Sequence, residues 1–180
     1  MITGSGNRAS MELDKHPSRI GQMFNRIAPT YDLLNHILSA GIDVKWRKMT
    51  VRYLSLKPGD LVLDLACGTG DLGFAAQEAT PRCRVVGVDL AEKMLRIARK
   101  KAVKRQPGAS KYAFLAADIL KLPFRANTFD KAMVAFGIRN VLDPGKAFDE
   151  IHRVLKPDGS LAILEFSLPE KAFLLSLIHI

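Results

Sequence analysis

The sequence predicts an α/β fold, a five-stranded parallel sheet of order 3-2-1-4-5 behind an N-terminal helical cap. Three observations carry this. Leu61, Val62, Leu63 and Leu65 form an apolar run suited to a strand buried on both faces, and Gly68, Gly70 and Gly73 then let the backbone turn tightly into a helix. From Leu61 onward, short apolar runs alternate with segments of helical period, the pattern of a parallel sheet linked by crossovers. Right-handed crossovers place the glycine turn of the first strand beside the topological switch point, where open parallel sheets bind ligands beyond the carboxyl ends of their strands.

In chain order, residues 1–15 are small and polar without period and read as a mobile leader. Residues 16–56 read as the cap. Ile20, Met23, Phe24 and Ile27 recur at helical spacing, as do Tyr31, Leu34 and Leu38 after a break at Pro29, which predicts two short helices. Gly41 ends the second, and Ile42, Trp46, Met49 and Tyr53 mark a third helix running toward Lys57-Pro58-Gly59-Asp60. Residues 57–170 form the core, with strands expected at Leu61 to Leu65, Arg84 to Asp89, Tyr112 to Ala116, Lys131 to Phe136 and Leu161 to Phe166. Before the last strand, Ala147, Phe148, Ile151, Val154 and Leu155 lay an apolar stripe along one helix, stopped by Pro157 and Gly159. No internal repeat is evident.

A chain of 180 residues with 48% hydrophobic and 25% charged residues suits one domain with a real core. No apolar stretch reaches the length of a membrane span and the N-terminus lacks a secretory hydrophobic region, so the expected location is the cytoplasm. Cys67 and Cys83 fit no metal-ligand spacing and read as small apolar fillers; no metal site is expected. The net charge of +9 is concentrated in Lys93 to Lys111, including Arg96, Arg99, Lys100, Lys101, Lys104 and Arg105. No aromatic residues interleave with these cations, so nucleic acid is not expected. A solvated helix face and peripheral contact with an anionic membrane remain as the two readings of this run.

The glycine turn is ready-made for a nucleotide-like ligand, because it permits close backbone approach and ends in helix N-terminal amides. Gly68, Gly70 and Gly73 match G-x-G-x-x-G, so spacing leaves a dinucleotide open. Asp64 before the turn and Asp71 at its close argue for the cationic end of S-adenosylmethionine over a pyrophosphate. A turn serving only packing is the plainer alternative. Asp89, ending the second strand, is placed to accept both ribose hydroxyls of either cofactor. The segment DLACGTGDLG resembles motif I of class I methyltransferases.

Three stretches together resemble the ubiquinone and menaquinone biosynthesis C-methyltransferases: MFNRIAPTYDLLNHILSAGIDVKWRK, LDLACGTGDL, and the run from LPFRANTFD through FGIRN to LEFSLP. The likeness covers roughly residues 20 to 170. It implies a class I, Rossmann-like sheet and transfer of a methyl group from S-adenosylmethionine to a ring carbon of a demethylmenaquinol or a polyprenyl-methoxy-benzoquinol, a membrane-borne substrate. By this resemblance Thr69 and Asp89 match cofactor contacts, joining Asp64, Gly68 and Gly70 of the turn, and Asp118 and Ile119 match the pair that lines the adenine. A helix N-cap is the alternative for Asp118. Ala135 stands where the family commonly has a serine before FG, so a hydroxyl contact to the cofactor is lost there.

Carbon methylation needs a proton acceptor and a donating or positive group for the phenolate. Arg139 and Asn140 of FGIRN follow the fourth strand, where substrate meets the methyl. Arg139 reads as the phenolate partner, with a structural ion pair as the alternative. Tyr31 and Asn35, four apart, read as sharing a helix face over the site. His36 is left outside the catalytic set, and Trp46 reads as a packing anchor between cap and sheet. Beyond the fifth strand the likeness fails: residues 171–180, AFLLSLIHI from Ala172, do not resemble the expected helix and final hairpin, so the chain reads as C-terminally truncated. Two functions outside methyl transfer also stay open, a cofactor-binding scaffold subunit and an NAD-linked oxidoreductase.

Overall fold

A computed structural model describes residues 15–105 and 111–165. Five strands, β1 (Leu61–Leu65), β2 (Arg84–Asp89), β3 (Tyr112–Ala116), β4 (Phe129–Ala135) and β5 (Leu155–Leu164), pair in parallel in the order β3-β2-β1-β4-β5. This is the expected order. The central strand β1 is buried on both faces, and its alternation divides the core. Leu63 and Leu65 pack with Val134, Ile151 and Val154 on one side, while Val62 packs with Met133, Leu54 and Phe74 on the other. Ile151 lies on α5 (Pro144–Val154) and is almost completely buried, so shortening it to alanine costs about 2–5 kcal/mol.

The cap departs from expectation. One continuous helix, α1 (Pro17–Leu38), replaces the two short ones, with Pro29 inside it. An interior proline costs about 3 kcal/mol, but Ile20, Phe24, Ala28 and Tyr31 lie in register across it. Phe24, Ala28 and Tyr31 pack on Ala91 and Met94, the latter in α4 (Glu92–Arg105), so tertiary burial on both sides of the proline holds the helix together. The turn after α1 closes with the Gly41 amide donating to the His36 carbonyl at 2.8 Å, and α2 (Ile42–Leu54) follows as expected. Its buried face is Asp43, Thr50, Val51 and Leu54, whereas Ile42, Met49 and Tyr53 face outward.

Two strand boundaries also differ. β4 starts two residues earlier than expected, and β5 begins at Leu155, directly after α5. Leu155 pairs with Phe129, the register then shifts, and regular pairing resumes at Ser160 opposite Lys131. Pro157 and Gly159 therefore sit in an irregularity at the start of the strand, past the end of the helix. The expected end of this strand at Phe166, the leader before Lys15 and the tail 171–180 lie outside the described residues.

Candidate functional site

The carboxyl ends of β1, β2 and β4 open onto one cleft, walled on its other side by α1 and α4. Gly68, Asp89, Asp118, Ile119, Asn140 and Tyr31 all line it. Asp89 is held by two backbone donors, with Oδ2 accepting from the Gly68 amide and Oδ1 from the Ala91 amide, both at 2.8 Å. Each oxygen keeps a second lone pair for a ligand. Burial pushes the Asp89 carboxyl up, against the opposing pull of those amides. Asp118 caps, as its alternative reading had it: Oδ1 accepts from the Leu120 amide at 2.9 Å at the start of a short 3-10 turn, and the residue also lines the cleft. Gly68, at φ +54°, leaves bare backbone facing the Tyr31 ring, which a Cβ there would meet at 3.9 Å.

Other expected residues lie elsewhere. Asp64 is only 1% exposed and does not line the cleft; its Oδ2 accepts from the Gly73 amide at 3.0 Å and from the Tyr112 hydroxyl at 2.5 Å. It braces the glycine turn from behind. Its carboxyl is pushed up to about 7, chiefly by burial and also by the charges of Asp89 and Asp71, against the downward pull of the Tyr112 and Gly73 hydrogen bonds. Thr69 faces the cap, its Oγ1 donating to Asp32 at 2.5 Å and accepting from the Lys101 ammonium at 3.0 Å. Lys101 in turn pairs with Asp32 and with Asp71, each at 2.7 Å. Asp71, which the sequence reading aimed at the cationic end of S-adenosylmethionine, is thus engaged with a lysine. Together these groups fasten α1 to the turn.

Gly70 donates its amide to the Cys67 carbonyl at 2.8 Å and closes the turn without reaching the cleft. Ala135 ends β4 off the cleft, and the wall there is made by Phe136 and Gly137. Arg139 does not line the cleft, and its guanidinium pairs with Glu165 at 2.6 Å, the structural alternative foreseen for it. Asn35 is not part of the wall, and His36 sits 3.4 Å from Asp43. Trp46 meets the Phe136 ring edge-on at 6.4 Å, joining cap to sheet. Phe24, Leu90 and Met94 in the wall, and the pair Asp32 and Lys101, escaped sequence reading, because only the docking of α1 on α4 brings them to the turn. Phe136 was within reach: it is the first residue of FGIRN and takes φ +57°, an unusual conformation for a bulky side chain.

The family model of the ubiE/COQ5 methyltransferase family matches residues 12–177. The chain belongs to this family. Its match extends past residue 170, where the sequence reading ended the likeness. Among curated relatives, the chain is 48% identical over 155 residues to the ubiquinone/menaquinone biosynthesis C-methyltransferase UbiE of Syntrophotalea carbinolica, covering 86% of this chain and 64% of that protein. It is 48% identical over 149 residues to the demethylmenaquinone methyltransferase of Thermus thermophilus, covering 83% and 66%. The chain thus spans just under two thirds of these relatives' length. A Haemonchus contortus phosphoethanolamine N-methyltransferase 2, solved in complex with S-adenosyl-L-methionine, matches with a TM-score of 0.61 and 26% identity over 69% of this chain and 30% of that one. The ubiE/COQ5 family chain has the class I methyltransferase sheet, and none of its described helices is long and apolar enough to cross a membrane.

Proposed function

We propose that this ubiE/COQ5 family protein uses S-adenosylmethionine to methylate a ring carbon of a membrane-borne quinol, either a demethylmenaquinol or a polyprenyl-methoxy-benzoquinol. The observation that carries the proposal is the convergence on one cleft of two carboxylates, Asp89 and Asp118, with two aromatic rings, Tyr31 and Phe136, and one side-chain amide, Asn140. The residues suit the donor: Asp89 accepts ribose hydroxyls, Asp118 accepts from the adenine amine, and Ile119 and Leu90 pack on the base. Bare backbone at Gly68 gives the donor close approach. When bound, the donor supplies an electrophilic methyl group.

The remaining work falls to the chain. The Asn140 amide, in the cleft wall, donates to the phenolate that forms as the quinol gives up its hydroxyl proton to water, a contact that strengthens as charge develops, and the ring carbon that gains the methyl then loses its own proton to water. Tyr31 orients the ring from the cap. Arg139, held by Glu165, acts on this region by fixing the segment that carries Asn140. Phe136, Tyr31 and α1 exclude water from the transfer.

Transfer of isotope-labelled methyl from S-adenosylmethionine to reduced demethylmenaquinone and to the methoxy-benzoquinol, assayed side by side, tests the proposal. Labelled product from at least one quinol, lost in Asp89→Ala, is the expected result. Donor binding without transfer to either quinol points instead to a scaffold subunit, and competition by NAD for the cleft to an oxidoreductase.

A further inference from the structure

The cap has a second apolar face that none of the described residues covers. On α2 the inward side is Asp43, Arg47, Thr50, Val51 and Leu54, and the opposite side carries Ile42, Met49 and Tyr53, the last 79% exposed. Along α1, Leu33, Leu34, Ile37 and Leu38 also project outward, Leu38 being 82% exposed, and the short turn Ser39 to Gly41 joins the two helices. Beside the outward stripe of α2 run Lys45, Lys48 and Arg52, all exposed and without an ion pair among the described residues. The acids of this region are turned inward: Asp43 is bound by Arg47 at 2.6 Å and by Ser39 at 2.9 Å, and Asp32 by Lys101 and Thr69. Among the described residues, the outer face is therefore apolar with cations along its rim and no free carboxylate.

We propose that this face of the cap, Leu33 to Leu38 with the outer side of α2, seats on an anionic lipid bilayer. A helix with an apolar stripe flanked by lysine and arginine suits the lipid interface, where the cations reach the headgroups while the stripe enters the acyl boundary. A second copy is the poorer occupant, because a two-fold contact through this face brings no carboxylate from among the described residues to meet Lys45, Lys48 and Arg52. The basic run on α4 is also the poorer lipid surface. Arg96 and Arg99 pair with Glu92, Lys101 with Asp32 and Asp71, and Arg105 with Glu78 while lying 4.7 Å over the Phe74 ring.

The seat deepens the quinol reading, on which only the following consequence rests. Trp46 on α2 contacts Phe136 of the cleft wall, and Tyr31 of the wall lies one and two turns before Leu34 and Leu38. Tyr31, Leu34 and Leu38 thus follow one another along α1 from the cleft toward the lipid face, so a quinol ring enters the cleft while its isoprenoid tail stays in the bilayer.

The test is co-sedimentation of the full chain with vesicles of phosphatidylglycerol and phosphatidylcholine, against pure phosphatidylcholine vesicles. Wild type is expected to bind the anionic vesicles selectively and to release as salt rises. Each cation near such a surface is worth roughly fivefold, so Lys45→Gln with Lys48→Gln and Arg52→Gln weakens binding by about a hundredfold. Leu38→Ser with Tyr53→Ser, both exposed in the folded chain, loses binding by the apolar route, while Lys100→Gln with Lys104→Gln on α4 keeps it. Melting followed by circular dichroism checks that each variant is folded. Failure of wild type to bind, wild-type binding by both cap variants, or loss only in the α4 variant overturns the proposal. So does a dimer that the cap variants dissociate. Methylation of a short-chain soluble quinol, read without vesicles, separates failure of the seat from failure of the quinol reading.

Discussion

The Tyr112 hydroxyl donates to the Asp64 carboxylate at 2.5 Å, reaching it from β3 across β2. A side chain at Gly73 would collide with the Tyr112 ring, and one at Gly87 would come within 2.9 Å of it. The third glycine of the turn is thus required by a tyrosine far away in sequence. Removing the hydroxyl in Tyr112→Phe leaves a buried carboxyl short of one donor and is expected to lower stability by about 1–3 kcal/mol. Urea unfolding measures this, and Gly73→Ala should be worse than Tyr112→Phe because it displaces the ring itself.

Asp64 also sets a pH dependence. Its folded pKa of about 7 lies above its ordinary 3.8, so between those values the folded state holds a proton that the unfolded state has released. Stability contributed by this group is therefore fully present below about pH 4 and falls as pH rises to about 7, by on the order of 4 kcal/mol at about 1.4 kcal/mol per pH unit. Asp89, also raised, acts in the same direction. Unfolding of wild type and Asp64→Asn should diverge across this window, with the variant showing the flatter profile. A parallel pair of curves would mean that Asp64 is ionised throughout.

The cap latch gives a third expectation. Lys101 bridges Asp32 on α1 and Asp71 on α3 (Asp71–Ala79), and these groups are partly exposed, so solvent screening limits the whole network to about 1 kcal/mol. Lys101→Met should leave global stability nearly unchanged while speeding amide exchange in α1, and the effect should shrink in wild type as salt rises. Equal exchange in both proteins would show that apolar contacts alone hold the cap.

Much of this site was legible because its parts are local. β1, β2 and β3 begin and end where their apolar runs do, and Asp89, Gly68 and Asp118 face the cleft because each ends a strand or turns the chain beside it. Thr69 shares the same motif but looks the other way, since its partner Asp32 is brought there only by the docking of α1. Pro29 reads as a break in sequence, yet the stripe from Ile20 to Tyr31 is buried on both sides of it. On α2 the apolar spacing of Ile42, Met49 and Tyr53 marked the outer face, because the inner face buries an aspartate and an arginine as an ion pair.

Arg139 and Asn140 are neighbours with different surroundings, and their variants should separate. Asn140→Ala is expected to lower turnover by about 10- to 100-fold with donor affinity retained, as removal of a donor to developing charge does. Arg139→Ala should act more weakly and should be matched by Glu165→Gln, since each breaks the same ion pair. Steady-state kinetics with a soluble quinol distinguish them. A larger loss in Arg139→Ala than in Asn140→Ala would return the phenolate contact to the arginine.

Calorimetric titration of S-adenosylmethionine into wild type, Asp89→Ala and Asn140→Ala tests most directly whether the cleft beyond β1 and β2 is the donor site. Saturable binding to wild type and Asn140→Ala, with none to Asp89→Ala, is the predicted result; binding to Asp89→Ala as tight as to wild type would contradict it.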